Sequence, residues 1–194
     1  MIKWRLVSIK ASELLMGIAF RFARRFLLDK MMNFGASTAR FADYFKGFEN
    51  VEAIKEIFGE KTGEILRHLT VKFTWVRSYM WVNPKDGHLT VSTYYLNNGD
   101  RLDIYLDVIH ELTHVKQFMD GKELFDMHYD YVDRPTEVGA YRHVVKEARR
   151  LGLSDERICE HLKTEWLSDN DLKRLARTLN VKCEEQAHAL QRQV

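Results

Sequence analysis

Apolar positions along this chain repeat with two different periods, and the change between them locates its centre. Val71, Phe73, Trp75, Tyr79 and Trp81 alternate with Lys72, Thr74 and Ser78, a period of two that predicts a strand. Asn83-Pro-Lys-Asp-Gly87 is a turn cluster. Leu89, Val91 and Tyr95 then alternate with Thr90 and Ser92. The pattern predicts a β-hairpin, and hence a small antiparallel sheet. After the turn Asn97-Asn98-Gly99-Asp100 the period lengthens to that of a helix. Asp100 suits an N-cap, and Gly121 suits the residue beyond the last turn.

Projected at about 100° per residue, the apolar side chains between those caps cover most of the circumference. They are Leu102, Ile104, Tyr105, Leu106, Val108, Ile109, Leu112, Val115 and Met119. What remains is a narrow polar stripe of Asp103, Asp107, His110, Thr113, His114 and Gln117. A helix buried on most sides, with both imidazoles on one stripe, is what a helix holding a metal at the centre of a domain needs. Asp107, one turn before His110, could orient an imidazole through its other nitrogen.

A second helix is predicted from Pro135, since proline favours the first turn, to about Arg150, with Gly152 beyond it. Ala140, Tyr141, Val144, Val145 and Ala148 form its apolar face, and Glu137 sits in the middle of that face. Short helices are expected over 37–48, 51–57 and 61–69, and a helical tail over 154–167 and 168–179. Residues 1–9 alternate like a short strand, and 11–33 read as a basic amphipathic helix. The expected fold is α+β: a helical region over 1–70, a core over 71–152 and a C-terminal helical extension over 153–194, packed as one unit.

The chemistry lies in His110-Glu111-Leu-Thr-His114. Helix positions four apart share a face, so both imidazoles can hold one ion while Glu111 reaches a water beside it. This H-E-x-x-H pattern is that of zinc metallopeptidases, with two ligands and a general base. In a chain with eight His five residues can match by chance, so the context decides, and strand, turn and polar stripe all fit. Catalytic zinc usually takes a third protein ligand. Glu137 is the choice, because a carboxylate on an apolar face is costly unless paired or metal-bound. A first-turn Glu can equally serve the helix dipole or pair with Arg134. His128, Asp126, Asp130 and Asp133 in the intervening loop are rival ligands. His128, Tyr129 and Tyr131 are rival stabilisers of an oxyanion.

His110-Glu-Leu-Thr-His114 followed by Arg134-Pro-Thr-Glu137-Val-Gly-Ala140 resembles the gluzincins, and the short spacing resembles their minimal members, the minigluzincins. The resemblance covers roughly residues 71–150. It implies a zincin-like fold with a sheet ahead of the metal helix, one Zn2+ per chain on His110, His114 and Glu137, and Glu111 as base. It further implies an edge strand that holds an extended peptide, and a cleft that a segment of the chain itself can occupy. The expected function is therefore zinc-dependent hydrolysis of peptide bonds. The rival is a non-catalytic or latent protein of the same fold, regulatory or adaptor-like, with a structural or blocked metal.

Composition narrows the partners. Net charge is +2 over 194 residues, which gives no nucleic-acid signature. Residues 1–50 carry nine Lys/Arg against four Asp/Glu, so their helix could touch an anionic membrane surface. Residues 14–20 are too short an apolar run to span one. Cys159 and Cys183 form no C-x-x-C pair; they read as separate thiols in a reducing, cytoplasmic compartment. Substrate identity and oligomeric state stay open.

Overall fold

The structure, a computed structural model, describes residues 38–183. The strand expected over 1–9 and the basic helix expected over 11–33 lie outside the described residues, as does any membrane contact through that helix. Among the described residues no helix is long and apolar enough to cross a membrane.

The fold is α+β. A four-stranded sheet of order β1-β2-β4-β3 is built from β1 (Thr38–Arg40), β2 (Thr70–Thr74), β3 (Met80–Val82) and β4 (Leu89–Ser92). Helices α1 (Phe41–Tyr44), α2 (Glu52–Phe58) and α3 (Thr62–His68) precede β2. Helices α4 (Thr93–Asn98), α5 (Arg101–Met119), α6 (Pro135–Arg150), α7 (Asp155–Leu162) and α8 (Asp169–Thr178) follow β4. One apolar cluster runs through all of them, from Phe41 to Val181.

The sheet corrects the expectation of a purely antiparallel one. The hairpin exists: β3 and β4 run antiparallel, with Met80 opposite Val91 and Val82 opposite Leu89. Its turn is held by Gly87, whose φ is +71° and whose missing Cβ would lie 2.5 Å from the Phe118 ring. But β2 pairs with β4 in parallel, Val71 opposite Leu89 and Phe73 opposite Val91, and β1 closes the far edge antiparallel to β2. The sheet is therefore mixed. The expected helix over 37–48 starts late, because Thr38–Arg40 is a strand. Tyr95 belongs to α4, not to a strand.

The alternation also changes phase. Val71 and Phe73 are buried, yet Trp75 is exposed, and Met80 and Val82, not Trp81, face the core. The irregular stretch between Thr74 and Met80 absorbs the shift. Strand β4 lies between two neighbours and is buried on both faces, as a central strand with a parallel partner should be. Its polar Ser92 is satisfied by donating to the Val76 carbonyl at 2.8 Å.

Helix α5 follows its predicted bounds. The Asp100 side chain accepts from the backbone N–H of Leu102 and Asp103, and Gly121 leaves the helix at φ +73°. Val108, Ile109 and Leu112 have no exposure; each such side chain stabilises by roughly 1.5–3 kcal/mol. Helix α6 opens on Pro135, as expected.

The C-terminal extension differs from expectation twice. Its first helix stops at Leu162 rather than 167. The two cysteines, expected as separate thiols, form a disulfide with Cα atoms 5.5 Å apart. The pairing follows from packing: the Lys182 N–H donates to Asp155 Oδ2 at 2.9 Å, and Arg149 donates to the Asn180 carbonyl. Cys183 is thereby laid beside α7. A closed loop of this size contributes about 3 kcal/mol by restricting the unfolded chain. The expectation of a reducing, cytoplasmic compartment rested on unpaired thiols and loses that support.

Candidate metal centre

Helices α5 and α6 cross so that His110, His114 and Glu137 meet. Their ligand atoms all lie within 4.8 Å of one another, and all three residues are buried. His110 Nε2 and His114 Nε2 stand 2.9 Å apart. Glu137 Oε2 lies 3.2 Å from the first and 3.5 Å from the second. That oxygen is buried and makes no hydrogen bond. A buried carboxylate oxygen without a partner is costly. One that faces two imidazole nitrogens has the arrangement a cation satisfies. This group could therefore hold a metal ion.

The supporting contacts fix which nitrogen points inward. Gln117 Nε2 donates to the Thr136 carbonyl at 2.9 Å. A carbonyl only accepts, so the amide's oxygen must face the other way, to His114 Nδ1 at 2.8 Å. Nδ1 then carries the hydrogen and Nε2 is left for a metal. Gly139 makes room: a Cβ there would lie 3.1 Å from Gln117 Nε2. On the carboxylate, Oε1 lies 3.7 Å from Arg134, whose Nε donates to the Asp126 carbonyl. The Arg134 pair and the metal-facing oxygen thus coexist on one residue.

The electrostatics follow from burial in one small space. Burial works against the Glu137 carboxylate, but the two imidazoles overturn this and hold it well below the usual range. Burial also opposes the His114 imidazolium; Glu137 and Glu111 outweigh it and raise the group to about 9. Burial pushes His110 down. It raises Glu111 to about 8, against the charge-favouring effects of His114 and the Val82 backbone. A bound dication would favour the ionised form of Glu111.

A cleft of about 340 Å³ opens onto these four residues. Strand β3 forms one wall, with Met80, Trp81 and Val82. It pairs only with β4 among the described residues, so its other edge is open. The far walls come from α6, from the turn at Tyr131, and from α7 with the stretch after it.

The rival ligands are placed elsewhere. His128 is exposed and bonded to Asp126 at 2.7 Å. Asp130 and Asp133 pair with Arg174 of α8. Of the three rival oxyanion groups only Tyr131 lines the cleft; its hydroxyl is 3.0 Å from that of Tyr141. Asp107, for which the sequence allowed a role in orienting an imidazole ligand, bonds elsewhere. It accepts from the Tyr95 hydroxyl at 2.5 Å and lies 3.6 Å from His161 Nε2.

Several residues at or behind the cleft carry little signal in the sequence. Gln117 lies behind His114; its spacing of three from His114 on the polar stripe is the available signal. His161 shares a face with Ile158 and Leu162 on α7, which marks it as inward-facing. Trp166 lies outside regular structure and carried no signal.

No protein-family model, curated protein or solved structure matches the chain. The site's reading therefore rests on its own geometry.

Proposed function

We propose that this chain is a zinc-dependent peptidase with a zincin-like fold, of the gluzincin kind that its motifs resemble. One observation carries the reading. Two imidazole nitrogens and a carboxylate oxygen that makes no hydrogen bond converge, and the Glu of the same H-E-x-x-H turn faces the same cleft. Two His and one Glu form a donor set suited to zinc, with a coordination position left over. His110, His114 and Glu137 would hold the ion, which supplies Lewis acidity toward a carbonyl oxygen and toward water.

The chain's own groups account for the remaining needs of the reaction. The open edge of β3 offers backbone N–H and C=O groups to an extended peptide, which fixes the scissile bond along the cleft. Glu111 takes a proton from the attacking water and returns it to the amine nitrogen as the C–N bond breaks. The Tyr131 and Tyr141 hydroxyls line the same cleft; one donates to the other at 3.0 Å, which leaves one O–H as a donor to the developing oxyanion. Burial holds both phenols above their ordinary range, so each keeps its proton.

The test is the Glu111→Gln variant, assayed on a mixed peptide pool by mass spectrometry. Zinc content is expected to stay and cleavage to fall by roughly 10²–10⁴-fold. Cleavage at the parent rate contradicts the mechanism. A parent that holds zinc but cleaves nothing returns the site to a structural or latent role.

A further inference from the structure

The cleft walls carry a second pattern, which begins at one of the two imidazoles. Starting at His110, the Tyr141 ring lies 4.5 Å away at 64°, and Tyr131 lies 6.5 Å from Tyr141 at 82°. Trp166 follows at 6.4 Å and 85°, Tyr79 at 5.5 Å and 74°, and Tyr95 at 5.0 Å and 63°. The Tyr95 hydroxyl bonds Asp107, one helical turn before His110, and closes the circuit. Every member lines the cleft. These six rings come from six separate places in the chain, each meeting the next edge to face, a preferred geometry of aromatic pairs.

A collar of this kind is core where other residues cover it, but among the described residues its rim is open. Trp166 is 55% exposed, and Tyr79 is partly exposed at the start of the edge strand. An indole held between two rings, yet open to solvent, offers apolar surface at low conformational cost. Of the carboxylates that line the cleft beside the metal site, Asp107 is engaged by Tyr95, Asp103 by Arg157 at 2.6 Å and His161 at 2.9 Å, and Asp100 by Arg157 at 3.3 Å; Glu160 lines it as well, and Glu165 acts on the Tyr79 hydroxyl. The collar therefore favours an uncharged ring over a cationic side chain. The cleft as a whole, about 340 Å³, has room for one such residue with part of its backbone.

We propose that the collar Tyr95–Tyr79–Trp166–Tyr131–Tyr141 is a specificity subsite for an aromatic side chain of a bound peptide, with Trp166 its outer wall. The proposal names the substrate class of the peptidase read above and rests on that reading for its biological meaning. Its physical content does not need the metal, because the collar is built from side chains alone.

The experiment is a ligand-observed NMR titration of the full chain, with and without added zinc. The probes are N-acetyl-phenylalaninamide, N-acetyl-alaninamide and N-acetyl-lysinamide. The phenylalanine amide is expected to bind about tenfold more tightly than the alanine amide, from ring burial and edge-to-face contact. Trp166→Ala is expected to bring the two within about threefold, and Trp166→Phe to keep the preference, since it retains a ring. Equal binding of the two, no binding of either, tightest binding of the lysine amide, or an unchanged preference in Trp166→Ala overturns the proposal. A protein without zinc that still prefers the aromatic amide loses the peptidase reading but keeps the collar. A zinc peptidase with no aromatic preference does the reverse.

Discussion

Helix α6 carries two buried carboxylates, and they solve the same problem differently. Glu137 and Glu147 are 3% and 4% exposed. Glu147 accepts from the Tyr105 hydroxyl at 2.7 Å and pairs with Arg150, which also reaches Glu56. Its charge is met by protein donors, and it ties α6 to α5 and α2. Glu137 has an arginine near one oxygen, but the other faces two imidazole nitrogens with no hydrogen bond. Burial alone thus does not mark a functional carboxylate. What sets Glu137 apart is an oxygen that makes no hydrogen bond and faces two imidazole nitrogens.

The comparison breaks most sharply under substitution. Glu137→Ala is expected to lose zinc affinity by more than the 10–100-fold typical of a supporting residue, measured by competition with a chelating dye. Glu147→Ala is expected to keep zinc but to lose about 2–4 kcal/mol of stability in denaturant unfolding, because Tyr105 and Arg150 lose a buried partner. Chelation should then lower the Tm of the parent and of Glu147→Ala, with no such drop in Glu137→Ala, since only a bound ion stabilises the folded state by mass action. Equal responses in all three proteins would erase the distinction.

A smaller effect sharpens it. Gln117→Ala removes the group that orients His114 and is expected to weaken zinc binding about 10–100-fold without abolishing it. Glutamate at 117 would retain the acceptor but lose the donor to Thr136, and should fall between.

The same centre can also be read through pH. His114 is raised to about 9 in the metal-free protein, so a metal must displace its proton. Affinity should rise by about tenfold per pH unit between the ordinary imidazole range and 9, then flatten. Zinc binding at pH 7.5 should release a proton, seen as a buffer-dependent enthalpy in calorimetry. A flat profile across that window contradicts the assignment of His114.

Much of this site was legible in the sequence because it is helical. The stripe of His110, His114 and Gln117 and the face of α6 around Glu137 are local patterns, set by a period that the chain repeats every turn. The sheet was less legible. The parallel pairing of β2 with β4 is decided by what lies between them, and the irregular residues after Thr74 shift the alternation so that Met80 replaces Trp81 in the core. The Cys159–Cys183 bond depends on how the stretch after α8 folds back along α7, which no spacing shows. The collar was least legible of all, since Tyr79, Tyr131 and Trp166 meet only in three dimensions.

The central claim is that His110, His114 and Glu137 hold a metal. The most direct measurement is elemental analysis of the parent and of His114→Ala, purified in parallel without added metal and again after zinc is offered at neutral pH. The account predicts about one zinc per chain in the parent and loss of it in the variant. A parent that takes up no zinc in either preparation would leave the three residues as a buried polar cluster and remove the basis for a metal-dependent activity.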